Sequence, residues 1–345
     1  MSLGFNTNRT PDVVVIGAGL IGLAIALEVA DRGGKVTVVD RGPAFGGASR
    51  AAAGMLAAED PGNPVELQAL SRLSIKHYPA FLRRIEALSE ITVPFQTDVA
   101  VQHLEGGSIV RIAEHSLDPR QLAEAVRAAV KATSIRLLEN TSVASIADEV
   151  GGSRIELSTG VSITAEAVVY AAGARTSEVV LAVEEDAIPV TPRKGQMLRV
   201  RLPFSLDEVH RSERIYVVPR THGPQAGTAL IGATVEDAGF DTSVRSGDLE
   251  RLRALAAQIL PGLGSEMDAP MMEAWAGLRP ATPDGLPVLG ACSRAGRFVA
   301  TGHYRNGILL APGTALLMVE LLEGRSTSVD VSAMSPQRFV LSAAR

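Results

Sequence analysis

The chain has 345 residues, with 33 Lys+Arg against 38 Asp+Glu and a formal net charge of −5. That balance excludes nucleic-acid binding driven by bulk positive charge, and 46% hydrophobic with 21% charged residues excludes both a disordered chain and a polytopic membrane protein. One cysteine, Cys292, excludes an internal disulfide framework, a CxxC redox pair and a cysteine-rich zinc site, so a reducing, cytoplasmic setting is expected.

Met1 to Pro11 is polar and lacks the apolar stretch of a secretory signal. Val13 to Leu27 is free of charge, yet shorter than the roughly 20 residues a bilayer demands. Asp12 to Ile16 reads as a buried strand, Gly17 to Gly22 as a turn, Leu20 to Asp31 as a helix stopped by Gly33 and Gly34, and Lys35 to Asp40 as a second strand, a β-α-β unit. Pro64 to Leu88 has helical spacing and is expected to break near Pro79. Short strands follow to Val110, and Asp118 with Pro119 opens a helix through Val130.

Strands are expected at Ile135 to Leu138, Ser142 to Ile146, Arg154 to Ser158, Val161 to Thr164 and Glu166 to Ala172, followed by a mostly β region from Pro189 to Glu236. Gly247 to Leu260 reads as a helix, Met271 to Ala274 and Phe298 to Thr301 as strands, and Pro312 to Leu322 as the last helix. At about 150 residues per domain, the length suggests two domains. The expected class is α/β, with a Rossmann-like dinucleotide domain built from discontinuous segments (11–80, 118–185 and 276–345) and a β-rich substrate domain (81–117 and 186–275).

Gly17-Ala18-Gly19-Leu20-Ile21-Gly22 fits G-x-G-x-x-G between strand and helix, with Asp40 at the end of the second strand. The first glycine permits the tight turn, the second lets backbone N–H groups approach a pyrophosphate, the third lets helix and strand touch, and Asp40 is placed to accept ribose hydroxyls. The fingerprint alone does not separate NAD from FAD. The apolar run Val168 to Ala172 ending at Gly173 favours FAD, and no second fingerprint exists for a nicotinamide partner, so a bound flavin would be reduced by substrate directly. Ser49 is a near miss for the G-x-S-x-G nucleophile elbow, but Ala51 stands at the fifth position and a hydrolase is rejected. The six histidines show no i, i+3 or i, i+4 pair, so no metal site is expected.

Three further segments carry a resemblance: Ala48 to Leu56 (ASRAAAGML), Trp275 to Gly285 (WAGLRPATPDG) and Gly302 to Pro312 (GHYRNGILLAP). With Gly17 to Gly22 they resemble, in order over nearly the whole chain, the D-amino-acid oxidase family of FAD enzymes, and within it the glycine oxidases. The resemblance implies noncovalent FAD held by Gly17, Gly19, Leu20, Ile21, Gly22, Asp40, Arg41, Ala48, Ser49, Ala53, Gly54, Met55, Val143, Ala172 and Gly173, with His303, Tyr304, Arg305, Asn306, Gly307, Ile308 and Leu309 wrapping the flavin ring.

It also implies that Arg279 binds the substrate carboxylate, a role suited to the planar fork of a guanidinium, with Tyr216 bonding the same group, Met55 lining the cavity and Arg305 reinforcing the flavin site or holding the entrance. Arg214 stands where some glycine oxidases have histidine, which bears on the pocket's polarity. No acid/base side chain is required. The implied reaction is oxidative deamination of a small amino acid, glycine first, to keto acid (glyoxylate), ammonia and hydrogen peroxide with oxygen as acceptor. Its usual context is thiamine biosynthesis, and the family often forms homo-oligomers, tetramers or dimers. The alternative is a D-amino-acid or sarcosine-type dehydrogenase using another electron acceptor.

Overall fold

In the computed structural model, which describes residues 12–183 and 185–339, the expected β-α-β unit is present. The stretch Met1 to Pro11 lies outside the described residues. The strands are β1 (Val13–Ile16), β2 (Val36–Val39), β3 (Phe95–His103), β4 (Ile109–Leu117), β5 (Arg136–Leu138), β6 (Val143–Glu149), β7 (Gly152–Leu157) and β8 (Ser162–Ala165). They continue with β9 (Ala167–Tyr170), β10 (Thr191–Arg201), β11 (Val209–Arg211), β12 (Tyr216–Arg220), β13 (Thr228–Gly232), β14 (Met271–Ala281), β15 (Val288–Ala291) and β16 (Arg297–Thr301). The α-helices are α1 (Leu20–Asp31), α2 (Ala48–Ala51), α3 (Gln68–Ser89), α4 (Pro119–Lys131), α5 (Thr176–Ala182), α6 (Ser246–Ile259) and α7 (Gly307–Leu322).

A six-stranded sheet runs β15-β16-β9-β1-β2-β5, with β1 parallel to both β2 and β9. β1 and β9 are buried at every position, as central strands covered on both faces must be, which explains why neither holds a charged residue. A seven-stranded sheet, β14-β10-β13-β12-β11-β3-β4, takes its strands from three separate stretches of chain, and β6-β7-β8 form a small third sheet. The expected division at 80/81 falls inside α3, and that at 275/276 falls inside β14.

Two helices differ from the expectation. α3 passes through Pro79 without a break, and α7 begins at Gly307, five residues before Pro312, which lies inside it. A proline removes one N–H from the helical ladder. For Pro312 the carbonyl left over is that of Ile308, and it accepts the Tyr78 hydroxyl of α3 at 2.6 Å. Ser74 of α3 adds a bond to the Leu309 carbonyl at 2.6 Å and accepts the Gly313 N–H at 3.1 Å. A Cβ on Gly313 would sit 3.1 Å from that of Ser74, so a glycine there is what lets the two helices approach closely enough for these repairs. α4 is capped as expected, Asp118 accepting the Arg120 N–H at 2.9 Å. Among the described residues no helix is long and apolar enough to cross a membrane.

Candidate active site

A cavity of about 840 Å³ runs from the Gly17 to Gly22 turn to the seven-stranded sheet, across the carboxyl ends of β1, β2 and β9. The three glycines of the turn differ in what requires them. A Cβ on Gly17 would lie 2.3 Å from the Ala171 carbonyl oxygen, and one on Gly22 would lie 2.0 Å from that of Gly17. A Cβ on Gly19 would meet only Ser49 Oγ, at 3.5 Å. Protein packing demands the outer two, whereas the space beside Gly19 is open to the cavity, as a close-lying pyrophosphate requires. Ser49 Oγ takes the Leu20 N–H at 3.1 Å, leaving the rest of the α1 N-terminus, with its partial positive charge, to a ligand. The Asp40 carboxylate accepts the N–H of Ala18 at 2.7 Å and of Gly42 at 2.8 Å, one on each oxygen, so each keeps a lone pair for a ribose hydroxyl. These residues fit an FAD adenosine diphosphate.

Residues 53–56 form an extended segment against the sheet edge. Leu117 N–H bonds the Gly54 carbonyl and Leu56 N–H that of His115, both at 2.9 Å, so Met55 bridges Ser116. Gly54 has a φ of +92°, and a Cβ there would lie 2.0 Å from the Leu117 oxygen. β14 reaches the same segment: Trp275 Nε1 donates to the Ala51 carbonyl at 3.1 Å, and a Cβ on Gly277 would sit 2.5 Å from that of Ala51.

The sheet register assembles the other end. Arg211 pairs with Tyr216, Tyr216 with Gly232, Gly232 with Met197 and Met197 with Trp275, a single row across five strands of which the first four residues line the cavity. Gly232 leaves room for its neighbour, since a Cβ there would lie 2.7 Å from the Tyr216 oxygen. β14 is one continuous strand to Ala281, so Arg279 stands on a strand and not in a loop after one. Its guanidinium donates to the Thr234 carbonyl at 3.1 Å, faces Tyr216, and has no carboxylate partner among the described residues. Burial pushes the Tyr216 hydroxyl pKa up, with the Arg279 charge opposing, so the phenol remains a donor at neutral pH.

Gly302 to Ile308 closes the cavity between the sheets. His303 is buried, its Nε2 3.0 Å from Thr314 Oγ1, and burial lowers its pKa to about 3, so the ring is neutral. Gly307 and Ile308 line the cavity at the α7 N-terminus, where the first N–H groups have no helical partner. Arg305 is held at the exposed rim by Asp60 at 2.8 Å. Above the site, Phe240 lies 3.8 Å from the Arg175 guanidinium, and its segment is anchored by the fully buried Lys194, whose Nζ is 2.9 Å from Asp241.

Of the residues singled out from sequence, two do not line the cavity: Gly22 is consumed by the turn's own packing, and Leu309 belongs to the core with 1% exposure. Gly195, Gly232 and Lys194 carry no motif, and their places follow from cross-strand register alone. Arg214 lines the cavity while remaining exposed.

The parallel-stranded sheet, the glycine turn with its acid and the cavity between two sheets define a dinucleotide-binding protein. Residues 12–106 and 93–321 match the FAD dependent oxidoreductase family DAO, and the chain belongs to it. Within that family it is similar to glycine oxidases. It is 32% identical to glycine oxidase of Geobacillus kaustophilus (strain HTA426) over 95% of this chain and 97% of that protein. The crystal structure of glycine oxidase from Geobacillus kaustophilus superposes with a TM-score of 0.88 at 30% identity, covering 95% of this chain and 98% of the other. The bifunctional protein ThiO/ThiG of Trichormus variabilis is 35% identical over 96% of this chain but 55% of its own length, so the chain spans about half of that relative.

Proposed function

We propose that the chain catalyses the oxidative deamination of a small amino acid, glycine first, in which glycine, water and oxygen give glyoxylate, ammonia and hydrogen peroxide. The observation that carries this is the Arg279 guanidinium, free of any carboxylate among the described residues and facing Tyr216, in the same cavity as the dinucleotide turn. A half-buried guanidinium without an anion is a site for one. The names of the relatives, glycine oxidase and ThiO/ThiG, support glycine as substrate and thiamine biosynthesis as context.

Arg279 receives the substrate carboxylate bidentately and Tyr216 donates to the same group, which fixes the orientation of the Cα–H and is the main contribution of this end. When bound, FAD supplies the two-electron acceptor for that hydrogen and passes the electrons to oxygen. Gly19, Ser49 and Asp40 would hold its adenosine diphosphate, with Arg41 and Val143 alongside, while Ala53 to Met55 and the α7 N-terminus would meet the ring. The α7 N-terminus favours negative charge developing there. Phe240 and its anchored segment exclude water. The amino acid enters with a neutral amine, so no side chain need act as a base. A homo-oligomer, dimer or tetramer, in the cytoplasm belongs to the same reading.

Anaerobic addition of glycine, sarcosine, D-alanine and D-proline to the yellow holoprotein tests it. Glycine is expected to bleach the flavin, and admitting air to release glyoxylate and peroxide. A flavin that no amino acid bleaches would remove this reading, and bleaching without reoxidation by oxygen would favour a dehydrogenase with another acceptor.

A further inference from the structure

We propose that Arg220, which lies outside the cavity, is a positioning residue that aims backbone N–H groups of the Ala53 to Met55 segment at the flavin ring. The inference rests on FAD occupying the cavity. Arg220 is the last residue of β12, the strand that begins at Tyr216. It is 2% exposed, its Nη2 donates to the Ala53 carbonyl at 2.8 Å, and its Nε lies 3.8 Å from Asp118, which the α4 N-terminus fixes in turn. Burial lowers its pKa to about 10, which still leaves it charged at neutral pH.

A trans peptide is planar, with its C=O and N–H pointing in opposite directions. Holding the Ala53 carbonyl on Arg220 therefore turns the Gly54 N–H away from Arg220. The next peptide is fixed the same way by β4: Leu117 N–H holds the Gly54 carbonyl at 2.9 Å, which turns the Met55 N–H away from the sheet edge. The N–H groups of Ala53, Gly54 and Met55 find no hydrogen-bond partner among the described residues, and all three residues line the cavity. Backbone donors in a protein interior are almost always satisfied. Three in succession, two of them opposite the carbonyls held by Arg220 and Leu117, are acceptor-seeking groups held ready for a ligand.

Two features separate this arrangement from ordinary loop packing. The carbonyl is held by a charged, buried donor, and such bonds are shorter and stronger than neutral ones. The same strand carries Tyr216 four residues earlier, so β12 fixes the substrate's donor and, through Arg220, the ring's donors in one rigid element. Trp275 of β14, on the strand of Arg279, makes the equivalent bond to the Ala51 carbonyl at 3.1 Å. Substrate anchors and ring donors are thereby tied to each other and not merely placed in one cavity. Donors to the ring stabilise its reduced, more negative form, so their loss lowers its midpoint potential.

The test compares wild-type holoprotein with Arg220→Met and Arg220→Lys. The midpoint potential of bound flavin, read by dithionite titration against a reference dye, is expected to move to more negative values in Arg220→Met and by less in Arg220→Lys. Anaerobic flavin reduction by glycine is expected to slow about 10- to 100-fold in Arg220→Met, the scale of a misplacement near 1 Å. Acetate, which probes Arg279 and Tyr216, should bind within about threefold of wild type, because neither anchor is altered. A merely structural role would lower thermal stability and leave the potential where it was. Wild-type potential and reduction rate in a folded, yellow Arg220→Met overturn the proposal. Should that variant fail to hold FAD, the same wild-type values in Arg220→Lys overturn it. The potential is read without any amino acid, so if glycine does not reduce the wild type, only the substrate reading falls and Arg220 is still decided.

Discussion

The guanidinium of Arg279 lies in the space that a side chain at Gly195 would fill. A Cβ on Gly195 would stand 2.3 Å from Nη1, 2.4 Å from Nη2 and 2.5 Å from Cζ of Arg279. The two residues lie on neighbouring strands, β10 and β14, two positions apart in register, since Arg193 pairs with Arg279 and Gly195 with Gly277. The anchor is thus shaped by the bare backbone beneath it. Gly195→Ala is expected to push the guanidinium off its seat and raise KM for glycine at least about tenfold, with FAD binding intact. Steady-state kinetics beside a flavin titration checks this, and an unchanged KM would mean the arginine has another seat.

Removing the anchor should cost more. Truncating one partner of a desolvated charge pair costs about 3 to 5 kcal/mol, so Arg279→Ala is expected to lower kcat/KM by about 10²- to 10³-fold or more. Arg279→Lys should recover only part of the rate, because an ammonium does not present two parallel N–H groups. Tyr216→Phe removes one neutral donor and should cost nearer to tenfold. All three should purify yellow. Near-normal turnover in Arg279→Ala would dismiss the anchor.

At the other end of the cavity, Asp40 has two tasks, accepting the N–H groups of Ala18 and Gly42 and offering its remaining lone pairs to the ribose. Asp40→Ala is expected to weaken FAD by about 1.5 to 3 kcal/mol, the range for hydrogen bonds to a charged group. Apoprotein titrated with FAD gives the value, and an unaltered affinity would place the ribose elsewhere.

Cys292 does not line the cavity, and burial pushes its thiol up to about 12, so it is protonated at neutral pH and a poor nucleophile. FAD is therefore expected to be noncovalent. Acid precipitation should leave all yellow colour in the supernatant; colour in the pellet would contradict it.

His303 makes stability depend on pH. Its folded pKa is lowered from 6.5 to about 3, so below pH 6.5 the unfolded chain binds a proton that the folded chain does not. The stability this ring contributes is complete above 6.5 and is lost progressively as pH falls towards 3. Between pH 7.5 and 5.5 the loss is about 1.4 kcal/mol. Urea unfolding of the wild type should show this drop beyond that of His303→Asn, and parallel pH dependences would show that the ring titrates normally.

The cofactor end was legible because its chemistry is local. A turn that must bring backbone to a pyrophosphate, an acid at the next strand's end and a cap such as Asp118 are each fixed by residues close in sequence, and the structure puts them where the spacing does. Pro312 misled for the complementary reason: a proline's local cost is visible, whereas its repair by Tyr78 at the Ile308 carbonyl, 230 residues away, is not. By itself, then, the sequence determined the dinucleotide unit, the family likeness and the identity of Arg279 and Tyr216 as candidates. The tertiary structure alone decided that Gly195 and Gly232 make room for those two side chains, and that Arg220 turns the Ala53 carbonyl away from the cavity. These contacts join residues on different strands or in distant segments, and cross-strand register is set by packing of the whole sheet, which no local pattern encodes.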